Sequence, residues 1–286
     1  MTGHRGDHPR TIDDVDFGQL YREHFDASGS REKPPEAWDD RADDLSREME
    51  GSPYVDELLR LVDLTGCRTL LDVGCGPGTI ALALAPRLDR VYGLDYSRGM
   101  LDAMMRNAAA RGLGHVEPIL RSWEEPWDDV PACDLVVASR STLVRDMEDA
   151  LARLDAKAKR RVCLTSLVGG RFVRADVLAL LGRERPAYPD YIYILNLLHR
   201  MGRHPRLDHI CAGRRSDESQ GLEQLVKRVE FSLGSLSENE RQRLEGWYRE
   251  DPDRAERGRE PYRWAFVSWE TGERGLARGE NAPART

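Results

Sequence analysis

The sequence predicts an α/β chain built on a doubly wound parallel sheet. Three observations carry this expectation. Thr69 to Val73 is a short apolar run without polar alternation, as in a strand buried on both faces. Three glycines follow within five residues, Gly74, Gly76 and Gly78, and then an apolar helical stretch, Ile80 to Ala85. Beyond it, strand-like runs alternate with helix-like stretches as far as Thr165, the pattern of successive βαβ units.

A strand, a glycine turn and a helix together bring bare backbone N–H groups and a helix N-terminus up to a ligand. Glycine suits the turn because a Cβ would block that approach or forbid the required φ. The next strand, Arg90 to Asp95, is apolar and ends in an acid. Asp95 lies 17 residues after Gly78, close to the spacing at which an acid ending the second strand takes ribose hydroxyls. A carboxylate can accept both protons of a cis-diol through charge-assisted bonds.

In chain order, residues 1–12 are polar and expected to be disordered. Phe17 to Phe25 suits a short amphipathic helix, broken by Gly29 to Pro35. A second helix is expected to start at Trp38-Asp39-Asp40-Arg41-Ala42 and run to about Met49. Ser52-Pro53 opens a third, with an apolar stripe of Tyr54, Leu58, Leu61 and Val62, and Thr65-Gly66 ends it. After Asp95, Ser97 to Arg111 reads as a helix with Gly112 at its C-terminal cap, and Val116 to Leu120 as a third strand. Cys133 to Ala138 is the fourth strand, Met147 to Leu154 a helix, and Arg161 to Thr165 the fifth strand. The basic run from Lys157 to Arg161 is expected to be a solvated helix end, favourable to the helix dipole.

Asp72-Val73-Gly74-Cys75-Gly76-Pro77-Gly78-Thr79, followed by Gly93-Leu94-Asp95-Tyr96-Ser97-Arg98-Gly99-Met100, resembles the class I S-adenosylmethionine-dependent methyltransferases, in particular those acting on small molecules. The glycines run G-C-G-P-G, which departs from the dinucleotide fingerprint G-x-G-x-x-G. The resemblance is strong from about Trp38 to Ser166 and thin afterwards. It implies a Rossmann-like doubly wound seven-stranded sheet with the last strand antiparallel, N-terminal helices, and a helical insertion between strands 5 and 6. Asp208 to Ala212 suits the sixth strand, Leu222 to Val229 the following helix, and Trp264 to Trp269 the seventh strand. The implied division is 1–50 as a helical segment or lid, 51–270 as the cofactor-binding domain, and 271–286 as a flexible tail. Residues 169–207 form a cap insertion within that domain.

By the same resemblance, Gly74, Gly76 and Gly78, with Cys75 and Pro77 between them, would let the backbone approach the methionine and ribose portions of S-adenosylmethionine. Asp72 would orient the turn, Asp95 would take the ribose hydroxyls, and Tyr96 and Met100 would pack near the adenine. Ser122 stands where many members carry an aspartate that accepts from the adenine amino group, and Trp123 follows it with stacking area and a backbone N–H. Ser139 lies where the transferring methyl is usually faced. Trp38 resembles a tryptophan that lies across the cofactor, and it also suits a plain hydrophobic anchor. Arg140 suits a bidentate grip on an anionic substrate group, or an ion pair with a nearby acid. Tyr188, Tyr191 and His199, the last two on a helix expected over Tyr191 to Met201, are candidates for substrate contact or for simple packing. No catalytic base stands out, as expected for an in-line displacement from an activated cofactor.

Composition narrows the function. The net charge is −7, and residues 1–50 account for all of it, with 7 Lys and Arg against 14 Asp and Glu. The balanced remainder implies no broad basic face, which weighs against nucleic acid as substrate. The position after strand 4 also lacks the N/D-P-P-Y/F segment of DNA amino-methyltransferases. Five scattered cysteines without a C-x-x-C pair suit free thiols in a reducing cytosol, with no metal expected. No apolar run reaches the length of a membrane span, and the N-terminus has no apolar signal region. The expectation is a cytoplasmic methyltransferase, monomer or homodimer, acting on a small-molecule acceptor and releasing S-adenosylhomocysteine. An RNA or protein methyltransferase and a non-catalytic S-adenosylmethionine-binding protein are the alternatives.

Overall fold

In the computed structural model, which describes residues 11–30, 33–48, 51–211, 221–252 and 262–271, Thr69–Val73 (β1) lies at the centre of the sheet. It pairs in parallel with Arg90–Asp95 (β2) on one side and Cys133–Ala138 (β4) on the other. Val116–Leu120 (β3) extends the sheet beyond β2, and Ala158–Leu167 (β5) extends it beyond β4, both in parallel. Trp264–Glu270 (β7) pairs antiparallel to β5, and Arg206–Ile210 (β6) pairs antiparallel to β7 at the edge. The order is β3-β2-β1-β4-β5-β7-β6. The expected seven strands and the expected antiparallel last strand are both present. Chain order reverses between β1 and β4, and ligands of such sheets bind beyond the carboxyl ends of the strands at that point.

Alternation along β1 builds a core on each face. Leu70 faces one, with Val91, Leu135 and Cys163; Leu71 and Val73 face the other, with Val136, Val162 and Leu164. The first face is covered by Pro53–Leu61 (α4), Ala81–Leu84 (α5) and Arg98–Ala110 (α6). The second is covered by Phe17–Ala27 (α1), Met147–Lys157 (α7) and Tyr191–Arg200 (α9). Leu70 and Leu71 are both fully buried, so truncating either to alanine costs about 2–5 kcal/mol.

Several boundaries differ from expectation. The helix expected from Trp38 to Met49 is two helices, Pro35–Asp39 (α2) and Ala42–Glu48 (α3). Asp39 ends the first because its carboxylate is turned to the start of α6, where it accepts from the Ser97 hydroxyl and, at 2.8 Å, from the Gly99 N–H. Only Lys157 of the basic run is helical; Lys159 to Arg161 lie in β5, where Arg161 pairs with Glu270 and Asp63. The sixth strand begins earlier than expected, at Arg206, and Ala212 lies outside the described residues. The first ten residues and 272–286 lie outside them too. The insertion after β5 carries Ala175–Leu181 (α8) as well as α9. Leu222–Leu233 (α10) runs past the expected Val229, and Glu238–Glu250 (α11) follows it unforeseen. Helices α8, α10 and α11 share a small apolar core of Val177, Leu181, Leu225, Val226, Val229 and Leu244. Arg183 locks this unit, gripping the Glu240 carboxylate with two nitrogens and donating to the Leu233 and Ser235 carbonyls.

Candidate functional site

The site is built from the turns at the carboxyl ends of β1, β2 and β4. Gly74, Gly76 and Gly78 all have positive φ, at 66°, 53° and 90°. The N–H groups of Gly74 and Cys75 both donate to the Leu94 carbonyl, at 2.7 and 3.0 Å, which ties the turn to β2. The three glycines do different work. A Cβ on Gly74 would stand 2.3 Å from the Ser141 Cβ, and one on Gly78 2.7 Å from Leu82 and 2.8 Å from Met104. Both of these glycines therefore make room for protein. A Cβ on Gly76 would meet nothing closer than the Met100 sulfur at 3.9 Å, so this residue alone of the three faces open space. The Pro77 carbonyl accepts from Asn107 at 3.0 Å. The Cys75 thiol is buried, and burial pushes its pKa well up, so it stays protonated.

Two buried carboxylates flank the turn. Asp72 accepts from the Ala81 N–H at 2.9 Å, holding the start of α5 against β1. Asp95 accepts from the Gly76 N–H and the Ser97 N–H, each at 2.9 Å. Burial pushes Asp72 up to about 7, the Ala81 bond pulls it back, and the neighbouring Asp95 adds to the rise. Asp95 is also raised by burial, against the pull of its N–H partners. Among the described residues no basic side chain forms an ion pair with either. Burial without a counter-ion favours the protonated acids, and a cationic ligand would favour their carboxylate forms.

The N-terminal helices cross this edge. Trp38 packs with Ala42 against Met100 and Ala103 of α6, and its ring meets Phe231 of α10 edge-on at 5.2 Å. Its indole N–H is buried with no partner among the described residues. The Tyr96 hydroxyl donates to the Lys33 carbonyl at 3.0 Å. The Lys33 ammonium and the Arg41 guanidinium each lie 4.4 Å from the centre of the Phe231 ring. Beyond β3, the Ser122 hydroxyl accepts from the Glu124 and Glu125 N–H groups, both at 3.3 Å, so it is engaged in its own turn. The Trp123 indole stacks on Trp127 and donates to the Ser141 carbonyl at 3.2 Å.

After β4 the Ser139 hydroxyl shares a hydrogen bond with the Tyr54 hydroxyl at 2.8 Å, and Tyr54 shares another with Thr165 at 2.9 Å. Arg140 follows with φ of 59°, its guanidinium 4.5 Å from the centre of the Tyr54 ring. Ser141 donates to the Val73 carbonyl at 2.6 Å, closing β4 onto the glycine turn. Next to Arg140 a cavity opens between the ends of β4 and β5, helix α1 and the insertion. Its walls include Tyr21, Met147, Phe172, Tyr188, Ile194 and Trp264. Tyr188 is set there by the Gly170–Tyr188 contact, where the Tyr188 N–H donates to the Gly170 carbonyl at 2.8 Å.

The structure thus brings the glycine turn, Asp72, Asp95, Tyr96, Met100 and Trp38 to one edge of the sheet, with Ser139, Arg140 and Tyr188 beside them. Tyr191 and His199 do not line the cavity: Tyr191 packs edge-on against His209 of β6 at 5.7 Å, and His199 is exposed in the last turn of α9. Tyr54, Tyr21 and Trp264 were missed. Their signal was an aromatic ring with a polar end inside an apolar stripe or strand, a residue type that is buried only where that end finds a partner. Among the described residues no three His, Cys, Asp or Glu side chains come together as metal ligands, and no helix is long and apolar enough to cross a membrane.

Known proteins match at three levels. A sequence model of a family described as a methyltransferase domain matches residues 70–161. An uncharacterized protein of Haemophilus influenzae is 40% identical over 266 residues, which cover 91% of this chain and 98% of that protein. The crystal structure of the YcgJ protein from Bacillus subtilis superposes with a TM-score of 0.53 at 15% identity, over 77% of this chain and 98% of the other. Shorter matches include the nocamycin O-methyltransferase of Saccharothrix syringae, 37% identical over 35% of this chain and 38% of its own length. An uncharacterized RNA methyltransferase of Halalkalibacterium halodurans is 35% identical over 25% of this chain and 16% of its own length. The matched family segment spans β1 to β5, the part of the sheet that carries the glycine turn and Asp95. Residues 70–161 thus carry a methyltransferase domain, set in a seven-stranded sheet with the fold expected of class I S-adenosylmethionine-dependent methyltransferases.

Proposed function

We propose that the chain is an enzyme that transfers the methyl group of S-adenosylmethionine to a small-molecule acceptor and leaves S-adenosylhomocysteine. The observation that carries this reading is the bond from the Gly76 N–H to Asp95. It sets an open stretch of backbone and a buried acid on one edge, beside a second buried acid, Asp72, with no basic partner for either among the described residues. A ligand with positive charge and a vicinal diol complements that arrangement. Asp95 would take the ribose hydroxyls, and Gly76 would admit the cofactor. Tyr96 and Met100 would flank the adenine, and the unpartnered Trp38 indole would offer it a donor. Gly74, Pro77, Gly78 and Cys75 hold the turn in shape, as Asp72 does through Ala81. Ser122 and Trp123 would form the far rim.

The bound sulfonium supplies an activated methyl. What remains for the protein is alignment and the exclusion of water. Ser139 and Tyr54 stand between the turn and the cavity, and there they would orient the acceptor. Helices α2 and α3 act as a strap over the cofactor, and 169–207, joined by α10 and α11, act as the cap. The small aromatic cavity and the balanced charge beyond residue 50 favour a metabolite over nucleic acid. The RNA methyltransferase match keeps RNA in the test. Tritiated methyl groups would be offered with a metabolite extract, total RNA and a protein fraction. Label in the metabolite fraction that disappears with Asp95→Ala is the expected result. Label in RNA alone would overturn the small-molecule acceptor, and label in no fraction would overturn the enzyme.

A further inference from the structure

We infer that the methyl acceptor is a flat aromatic or alicyclic acid whose anionic group is seated on Arg140. This rests on the methyltransferase reading and adds the chemical class of the acceptor. Among the described residues Arg140 is the only charged one lining the aromatic cavity. Among the described residues it forms no ion pair, whereas Arg121, Arg145 and Arg153 on neighbouring segments each pair with a carboxylate. An arginine at a cavity wall without an acid is a ready fork for carboxylate or phosphate oxygens.

Its backbone is also held out of the ordinary. Among the described residues Arg140 is the one non-glycine residue with positive φ. That conformation costs about 1–2 kcal/mol for a residue bearing a Cβ, and such strain persists where the surroundings over-determine it, commonly at functional sites. Here the Arg140 N–H donates to the Thr165 hydroxyl at 2.9 Å, Thr165 is bonded to Tyr54, and the Tyr54 ring lies beneath the guanidinium. Burial pushes the Tyr54 phenol up, so the platform stays neutral and no protein anion competes for the fork.

The lining of the cavity, about 30 Å³ as it stands, suits the body of such a molecule once its walls part. Tyr21, Phe172, Tyr188 and Trp264 give flat apolar walls, with Met147 and Ile194 between them. Ser166 also lines the cavity and can offer its hydroxyl to a second polar group of the acceptor. Both neighbours of Arg140 belong to the turn region: Ser139 bonds to Tyr54, and Ser141 bonds to the end of β1. An acid held by Arg140 therefore lies beside the glycine turn.

The test is calorimetry on the full chain saturated with S-adenosylhomocysteine, using 2-naphthoate, 2-naphthyl phosphate and the neutral 2-naphthamide. A charge-assisted bidentate contact predicts that at least one anion binds at least about tenfold more tightly than the amide. In Arg140→Gln that preference should fall to about twofold or less. The better anion tells carboxylate from phosphate. Equal binding of amide and anions, a preference that survives Arg140→Gln, or no saturable binding of any probe would overturn the acidic acceptor. Arg140→Gly, which removes the φ penalty, should melt above the wild type and lose the same preference, so a folding defect cannot imitate the result. Failure of the wild type to bind S-adenosylhomocysteine would instead overturn the methyltransferase reading.

Discussion

Replacing Gly76 and Gly78 in turn by alanine should produce opposite phenotypes. At Gly76 the new Cβ meets only the Met100 sulfur at 3.9 Å, so the cost to the fold is the positive φ alone, about 1–2 kcal/mol. For a chain of this size that lowers Tm by about 2–8 °C. The methyl would stand where a ligand must approach the backbone. A ligand pushed off by an amount equal to one charge-assisted hydrogen bond, about 1.5–3 kcal/mol, binds about 10- to 150-fold more weakly. At Gly78 the Cβ would be driven to 2.7 Å from Leu82 and 2.8 Å from Met104, both buried side chains, at φ of 90°. Overpacking and strain together cost about 3–5 kcal/mol. Thermal melts and calorimetric titration with S-adenosylhomocysteine on both variants would separate the effects. Gly76→Ala should lose only those few degrees and bind poorly, while Gly78→Ala should melt earlier still. Unchanged affinity in Gly76→Ala would refute the assignment of that glycine to the ligand.

Three further outcomes are expected. The folded protein holds a proton on Asp72 that the unfolded chain releases between about pH 4 and pH 7, so stability falls as pH rises through that window, by on the order of a few kcal/mol. Urea denaturation at several pH values should show this slope, and Asp72→Asn should flatten it. Arg183→Ala removes the grip on Glu240 and two carbonyl contacts, so amide exchange should quicken in α8 and α11 and stay unchanged in β1. Asp39→Ala frees the N-terminal strap from α6, and limited proteolysis should then cut before residue 50 faster than in the wild type.

Strands β1, β2, β4 and the second half of β5 could be read from the sequence because they are largely buried and show as apolar runs, whereas β3, an edge strand with Glu117, Pro118 and Leu120 exposed, was legible only from its place in the strand–helix alternation. Helix α11 could not be read from hydrophobic period, since it buries only Glu240 and Leu244. Its legible sign was the capping box from Ser237 to Glu240. The glycine turn was legible as a motif, but the separate tasks of its glycines were not. Those tasks are set by Ser141, Leu82 and Met104, whose approach only the folded chain fixes. The cavity was the least legible part, because α1, α4, β4, the insertion and β7 each contribute a wall or a support to it. The break between α2 and α3 was hidden for the same reason, since it depends on a contact between Asp39 and the start of α6.

The place of β7 between β5 and β6 has a consequence for biosynthesis. The five parallel strands can zip together as soon as Leu167 has left the ribosome, but the outer edge of β5 then has no partner. Its partner begins at Trp264, about a hundred residues later, which at 5–20 residues per second is a delay of about 5–20 s. During that interval Val162, Cys163 and Leu164 sit on an open strand edge, the kind of surface that recruits other chains. Strand β6 is made first but waits too, since its sheet neighbour is β7. Yield in a cell should therefore depend on translation speed between residues 168 and 263 and on chaperones that shield the nascent edge, more than on the stability of the finished sheet.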